Sequence, residues 1–188
     1  MPARARMLLA ALGVSVGLPG GAHAVRIAGI TMPDTFRAGD TPLVLNGAGV
    51  RTKFAINIYV GGLYLEAPNA NAAAILAADA PKALSMHFLR SIEKQKLVDA
   101  YKEGFEANAA QKAAAQKANV EKFYSTVTDV KEGSVTTYTY APGTGTVVNR
   151  DGKDVATIEG KEFAEVLFSL WLGPKPPSED LQKGLLGR

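Results

Sequence analysis

The stretch Leu45–Glu66, LNGAGVRTKFAINIYVGGLYLE, decides how the rest of the chain is read. Asn46-Gly47-Ala48-Gly49 reads as a glycine turn, and the residues after it run strand-like to Tyr64. Val50, Thr52, Phe54, Ile56, Ile58 and Val60 share one parity; Arg51, Lys53, Ala55, Asn57 and Tyr59 share the other. Strict alternation marks a strand with one face in a core. The set from Val50 to Val60 is the apolar one and is expected to face the main core. The Arg51–Tyr59 set is then either a solvated sheet face or the wall of a polar-mouthed cleft. Gly61-Gly62 permits a bend or bulge before Leu63-Tyr64-Leu65.

Upstream, Val25–Ile30 with Thr31–Asp34 reads as a first strand and turn, and Phe36–Asp40 as a second turn region. Farther back, Arg4 and Arg6 precede an apolar run, Met7–Leu18, and then Ala22-His23-Ala24. This is the pattern of a secretory signal peptide, residues 1–24, cleaved after Ala24; the apolar run is too short to span a bilayer. The expected mature chain, residues 25–188, is one domain without a stable membrane anchor, in the periplasm or secreted.

Composition narrows the chemistry. The chain has no cysteine, so neither a lipoprotein anchor nor a disulfide framework is available. Loss of Arg4 and Arg6 lowers the formal charge from +3 to +1, and no basic stripe points to nucleic acid. His87 is the one histidine after the leader, and no Cys, His or carboxylate cluster has metal spacing. Zinc chemistry and histidine triads are therefore not expected, and neither metal nor cofactor is called for. His87 lies among apolar neighbours and is expected to be a core or strand-edge residue; a single axial haem ligand is its alternative.

Downstream, Asn69 or Asn71 can cap a short alanine-rich helix reaching about Ala78, and Ala83–Leu89 reads as a strand. About Ser91–Tyr124 is helical, with Leu97, Tyr101, Gly104, Phe105 and Asn108 on one face and a kink or turn near Asn108–Gln111. Its alanine- and lysine-rich second part offers little core-forming surface. From Gly133 the period changes: SVTTYTYAP, GTGTVVN and KDVATIEG form an antiparallel meander turned at Pro142-Gly143 and Asp151-Gly152. Lys161–Leu172 is a helix burying Phe163, Val166, Leu167, Leu170 and Trp171, and Ser178 caps a final short helix to Leu186. The order predicts an α+β fold, an antiparallel sheet with a layer of helices on one face.

Four segments resemble the chalcone isomerase superfamily, in particular its bacterial secreted chalcone isomerase-like branch: GAGVRTKFAINIYVGGLYLE, FLRSI, IEGKEFAEVLFSLWLG and SEDLQKGLLG. The resemblance implies an open-faced β-sandwich of chalcone isomerase type, with a ligand cleft between a large antiparallel sheet and helices. It places the enzymes' anion-binding arginine at Arg51, and their helical tyrosine and asparagine at Tyr101 and Asn108, which are seven residues apart. A strand threonine falls at Tyr59, and a late-helix hydroxyl residue at Leu170, which has no hydroxyl. The resemblance also implies that non-catalytic members hold a fatty-acid carboxylate with an arginine and a tyrosine. The expected ligand-binding residues are thus Arg51, Tyr59, Tyr101 and Asn108, and the expected ligand is a small amphiphilic or anionic molecule. An intramolecular lyase of the chalcone–flavanone type is the alternative, as is an envelope domain with a protein partner and no ligand.

Overall fold

The computed structural model describes residues 24–188, so residues 1–23 of the expected signal peptide lie outside the described residues. A hairpin of β1 (Val25–Ile27) and β2 (Ile30–Met32) precedes seven strands in chain order. These are β3 (Thr35–Ala38), β4 (Thr41–Lys53), β5 (Ile56–Leu65), β6 (Lys82–Phe88), β7 (Val135–Ala141), β8 (Gly145–Arg150) and β9 (Lys153–Ile158). They form one sheet whose spatial order equals the sequence order, every neighbouring pair antiparallel. Helix α1 (Ala72–Ala77) links β5 to β6, and α2 (Lys94–Ala115) and α3 (Lys117–Thr126) link β6 to β7. Helices α4 (Lys161–Leu172) and α5 (Glu179–Leu185) come after β9. This is the expected α+β architecture, a large antiparallel sheet with a layer of helices.

The expected central strand is two strands. β4 and β5 meet in a two-residue turn at Phe54-Ala55, with φ of 50° and 61°. Positive φ at both turn positions defines the I′ hairpin geometry, which suits the right-handed twist of the flanking strands. Asn46–Gly49 is not a turn but lies inside β4. Gly61-Gly62 likewise makes no bulge and continues the β5–β6 ladder. The bulges fall elsewhere: Asn46 is the extra residue between Leu45/Tyr64 and Gly47/Leu63, and Ile58 the extra residue between Arg51/Tyr59 and Thr52/Asn57. Phe36–Ala38, read as part of a turn, belongs to β3.

The assignment of faces is also reversed. Tyr59, Leu63, Leu84, Met86, Phe88 and Tyr138 face the helices and build the larger core. Val60 joins the smaller cluster on the other face, with Met32, Leu43 and Tyr64 under the β1–β2 hairpin, and Val50 packs at its margin. Phe54, expected inside, is 88% exposed.

Helix α4 has apolar residues on almost every side because it sits between the sheet and the other helices; Phe163, Val166 and Leu167 are wholly buried. In α2, Ala109 leaves helical geometry (φ −151°, ψ 34°), where the kink was expected. Helix α3 contributes more core than its composition suggests. Phe123 is completely buried, its ring edge-on to Tyr101 at 5.1 Å and to Tyr138 at 5.7 Å and tilted against Phe163 at 6.1 Å. Asn71 caps α1 by accepting from the Ala74 amide. At the other end of α1, buried Lys82 donates to the Ile75 and Ala78 carbonyls, satisfying groups that have no partner within the helix. Ser178 caps α5 as expected, accepting from the Leu181 amide.

Candidate functional site

A cavity of about 510 Å³ opens between the β4–β5 hairpin, β6, α2 and the end of α4. Its size lies within the range of small-molecule sites. Met86, Phe88, Leu97, Leu170 and Trp171 make its wall apolar. Five lining residues carry cationic groups, Arg51, Lys53, Arg90, Lys96 and Lys175, against one carboxylate, Glu103. The β-bulge explains part of this shape. With Ile58 as the extra residue, both Ile58 and Tyr59 line the cavity although they are adjacent in sequence.

Arg51 and Tyr59 are direct cross-strand partners, which puts their side chains on the same face of the sheet. Arg51 is half-buried and donates one hydrogen bond, 2.7 Å, to the Thr52 carbonyl; a guanidinium has further N–H groups for a ligand. Tyr59 is buried, its ring edge-on to Phe88, and its hydroxyl accepts from Trp171 Nε1 at 2.9 Å. Indole N–H can only donate, so the phenol's own proton is left for a third group. Burial raises the Tyr59 pKa far above the usual phenol value, more than Trp171 and Arg51 lower it. The hydroxyl is thus a neutral donor at any physiological pH.

Tyr101 lines the same cavity, and its hydroxyl lies 2.8 Å from that of Tyr138. Burial pushes the Tyr101 pKa up to about 12, partly offset by the Tyr138 hydrogen bond. The Tyr138 pKa is raised well above 10, again chiefly by burial. The site therefore offers a fixed cation and neutral hydroxyls beside an apolar chamber.

The fourth expected residue is placed differently. Asn108 is not among the lining residues. Its amide nitrogen donates to the Gly104 and Lys175 carbonyls, and its oxygen accepts from the Lys175 amide. It fastens the segment after α4 to α2 and so holds Lys175 at the cavity rim. Leu170, matched to a hydroxyl position, lines the cavity against Gly104; a Cβ at Gly104 would come within 2.5 Å of Leu170 Cδ2. His87 pairs with Val60 in the sheet and so lies on the face away from the cavity. Among the described residues, no group of three or more His, Cys, Asp or Glu could hold a metal, and no helix is long and apolar enough to cross a membrane. Sequence reading missed Trp171 as the partner of Tyr59, Tyr138 as the partner of Tyr101, and the four cations that join Arg51 at the rim. The rim cations are scattered over the hairpin, the β6 exit, α2 and the loop after α4, so no local motif marks them.

The buried phenols predict a specific alkaline behaviour. An unfolded tyrosine loses its proton near pH 10, whereas Tyr59, Tyr101 and Tyr138 keep theirs to higher pH in the fold. Stability from this source is complete below pH 10 and is lost as pH rises toward the folded values. Burial also pushes Tyr64 and Tyr140 up to about 12, so of the six tyrosines no more than one, the half-buried Tyr124, should ionise before circular dichroism reports unfolding. Tyrosinate absorbance from four or more in the folded protein would show that water reaches the cavity hydroxyls.

Comparison with known proteins adds two findings. Residues 24–187 match a family model described as chalcone isomerase-like. The fold matches the crystal structure of an Arabidopsis thaliana fatty-acid binding protein with a TM-score of 0.69 and 14% sequence identity, covering 87% of this chain and 96% of that one. No curated protein sequence matches the chain.

Proposed function

The chain belongs to the chalcone isomerase-like family, and from that premise we propose that it is a non-catalytic protein that binds a small amphiphilic carboxylate, such as a fatty acid, between its sheet and helices. One observation carries the reading: Arg51 and Tyr59 are paired across the hairpin at the edge of an apolar cavity of about 510 Å³. A guanidinium presents a planar fork to a carboxylate, and the neutral phenol supplies one further donor. The apolar wall receives the hydrocarbon. The structural neighbour named as a fatty-acid binding protein is consistent with this use of the fold.

Ring closure of a chalcone is the second reading, favoured by Arg51 and Tyr101 lining one cavity. Such catalysis needs donors aimed at charge that develops in the transition state, and each one lost costs roughly 10²–10³ in rate. Here Leu170 supplies no hydroxyl, and both the donors and the acceptor of the Asn108 amide are engaged by backbone. Chalcone cyclisation is therefore expected to be negligible.

We place the mature protein in the periplasm or outside the cell, on the strength of the basic start, the apolar run and Ala22-His23-Ala24. One preparation tests location and cargo together. Protein from the periplasmic fraction should begin at Val25 and show, in non-denaturing mass spectrometry, a bound long-chain carboxylate. A product beginning at Met1 would refute export. An empty protein that also fails to take up added fatty acid would refute binding and leave the protein-partner reading. Chalcone turnover near the rate of a dedicated enzyme would restore the lyase.

A further inference from the structure

The β4–β5 turn combines two features that neither folding nor the cavity requires. Phe54 is 88% exposed, the largest exposure of any large hydrophobic side chain among the described residues, and Ile56 beside it is 50% exposed. Phe54 and Ala55 also both occupy positive φ, where residues with a Cβ are strained and Asn-Gly is the favoured pair. The turn thus exposes an aromatic ring at a position where Asn or Gly would be both more soluble and less strained. The chain immediately before it, Arg51 and Lys53, lines the cavity mouth, and Lys53 Nζ stands 5.7 Å from the Phe54 ring centroid.

Charge supplies the second observation. Beyond the leader the chain has a formal charge of only +1, yet the cavity lining gathers five cationic side chains and one carboxylate. Lys96 is partly neutralised by Glu93 at 3.5 Å; the others at the rim, Lys53, Arg90 and Lys175, have no carboxylate within salt-bridge distance among the described residues. A cationic rim beside a projecting aromatic tip has the chemistry of a surface that rests on an anionic interface and seats a ring among acyl chains.

We propose that the Phe54 hairpin tip and the cationic rim dock this protein on an anionic phospholipid bilayer, with the cavity mouth toward the lipid. Docked this way, an amphiphile passes between bilayer and cavity without its hydrocarbon crossing water. That purpose rests on the fatty-acid binding reading; the docking itself does not.

The test is flotation of the exported chain with vesicles of phosphatidylglycerol and, separately, of phosphatidylcholine. A double variant, Phe54→Asn with Ala55→Gly, removes the ring and installs the preferred turn pair, so the fold is retained. The wild type should float with phosphatidylglycerol, less so as salt is added, and not with phosphatidylcholine. The variant should float about tenfold less or weaker still, the loss expected for withdrawing one apolar ring from lipid. Its melting temperature should be no lower than that of the wild type, and its affinity for fatty acid in vesicle-free solution should be unchanged. Equal flotation by variant and wild type, no flotation by the wild type, or flotation indifferent to lipid charge would each overturn the proposal. So would a loss of soluble fatty-acid affinity in the variant, which would assign the tip to the ligand site. Wild-type flotation without any fatty-acid binding would support docking while removing the cargo reading, so the two fail separately.

Discussion

Arg51→Ala should weaken binding of a long-chain fatty acid by about 2–5 kcal/mol, roughly thirtyfold at the least. The magnitude comes from placement. Arg51 is half-buried at the edge of an apolar cavity, where a carboxylate is held in an environment of lower dielectric than bulk water. With the cation removed, the carboxylate would be desolvated without its main partner. The remaining rim cations stand on exposed side chains, where salt and water screen them. Stability should change by less than about 1 kcal/mol, because Arg51 makes no ion pair among the described residues and its single hydrogen bond is to the adjacent carbonyl. Arg51→Lys should recover only part of the affinity, since an ammonium restores charge but not the fork. Calorimetric titration with thermal melts of all three proteins reads both quantities. Equal affinities for wild type and Arg51→Ala would remove Arg51 from the site; unchanged affinity with a large loss of stability would make it a structural residue.

The second large effect concerns the seam between β4 and α5. A Cβ at Gly47 would lie 2.2 Å from the Gly184 carbonyl oxygen and 2.8 Å from the Gly187 nitrogen. In return, a Cβ at Gly184 would lie 2.4 Å from the Ala48 oxygen and 2.7 Å from Gly49 Cα. All four are backbone atoms, so no side chain can swing away, and either alanine must lift the helix. Leu181 and Leu185, both wholly buried, would lose cover, and the bond from Asn46 Nδ2 to the Leu185 carbonyl would break. Burying a leucine is worth about 1.5–3 kcal/mol and a hydrogen bond about 1, so half-release of the two leucines with loss of that bond predicts a cost of about 3–4 kcal/mol for Gly47→Ala or Gly184→Ala. At this chain length that lowers the melting temperature by roughly 10 °C. Gly143→Ala is the control: its φ is 76° but no atom lies within 4 Å of the added Cβ, so only turn strain of about 1 kcal/mol is expected. Denaturant titration that finds Gly47→Ala no worse than Gly143→Ala would dissolve the seam as an explanation.

What the sequence announced and what it concealed differ for physical reasons. The Asp151-Gly152 hairpin, the Asn71 and Ser178 caps and the α4 helix were legible because local chemistry and local structure agree there. The β4–β5 turn was hidden because Phe-Ala carries no turn chemistry and the alternation runs through it unbroken. The two-residue turn alone would set Arg51 opposite Ile58; the extra residue Ile58 shifts the register by one and brings Tyr59 opposite Arg51, restoring the parity that the turn had changed. Parity therefore placed these two on one face correctly but named the wrong face as the larger core. Gly47 and Gly49 read as a turn because a close approach between strand and helix leaves the same mark in sequence as positive φ. Of the candidate site, the family resemblance marks Arg51, Tyr59 and Tyr101, and these three line one cavity. Trp171 and the scattered rim cations were not legible, because their roles arise only when distant segments meet. Asn108 shows the limit of spacing. Seven residues from Tyr101 on one helix, it is claimed by the backbone of the passing Lys175 segment.

The glycine seam also sets a timetable. Asn46 and Leu185 are bonded across 139 residues, so α5 can dock only after a long loop has closed. The β4–β5 hairpin and the β7–β9 meander can zip between chain neighbours well before that. The sheet and α4 would then form the nucleus, with α5 arriving on the downhill side of the barrier. Substitutions along the seam would leave the folding rate nearly untouched and act on unfolding, making α5 the element that determines how long the folded molecule lasts.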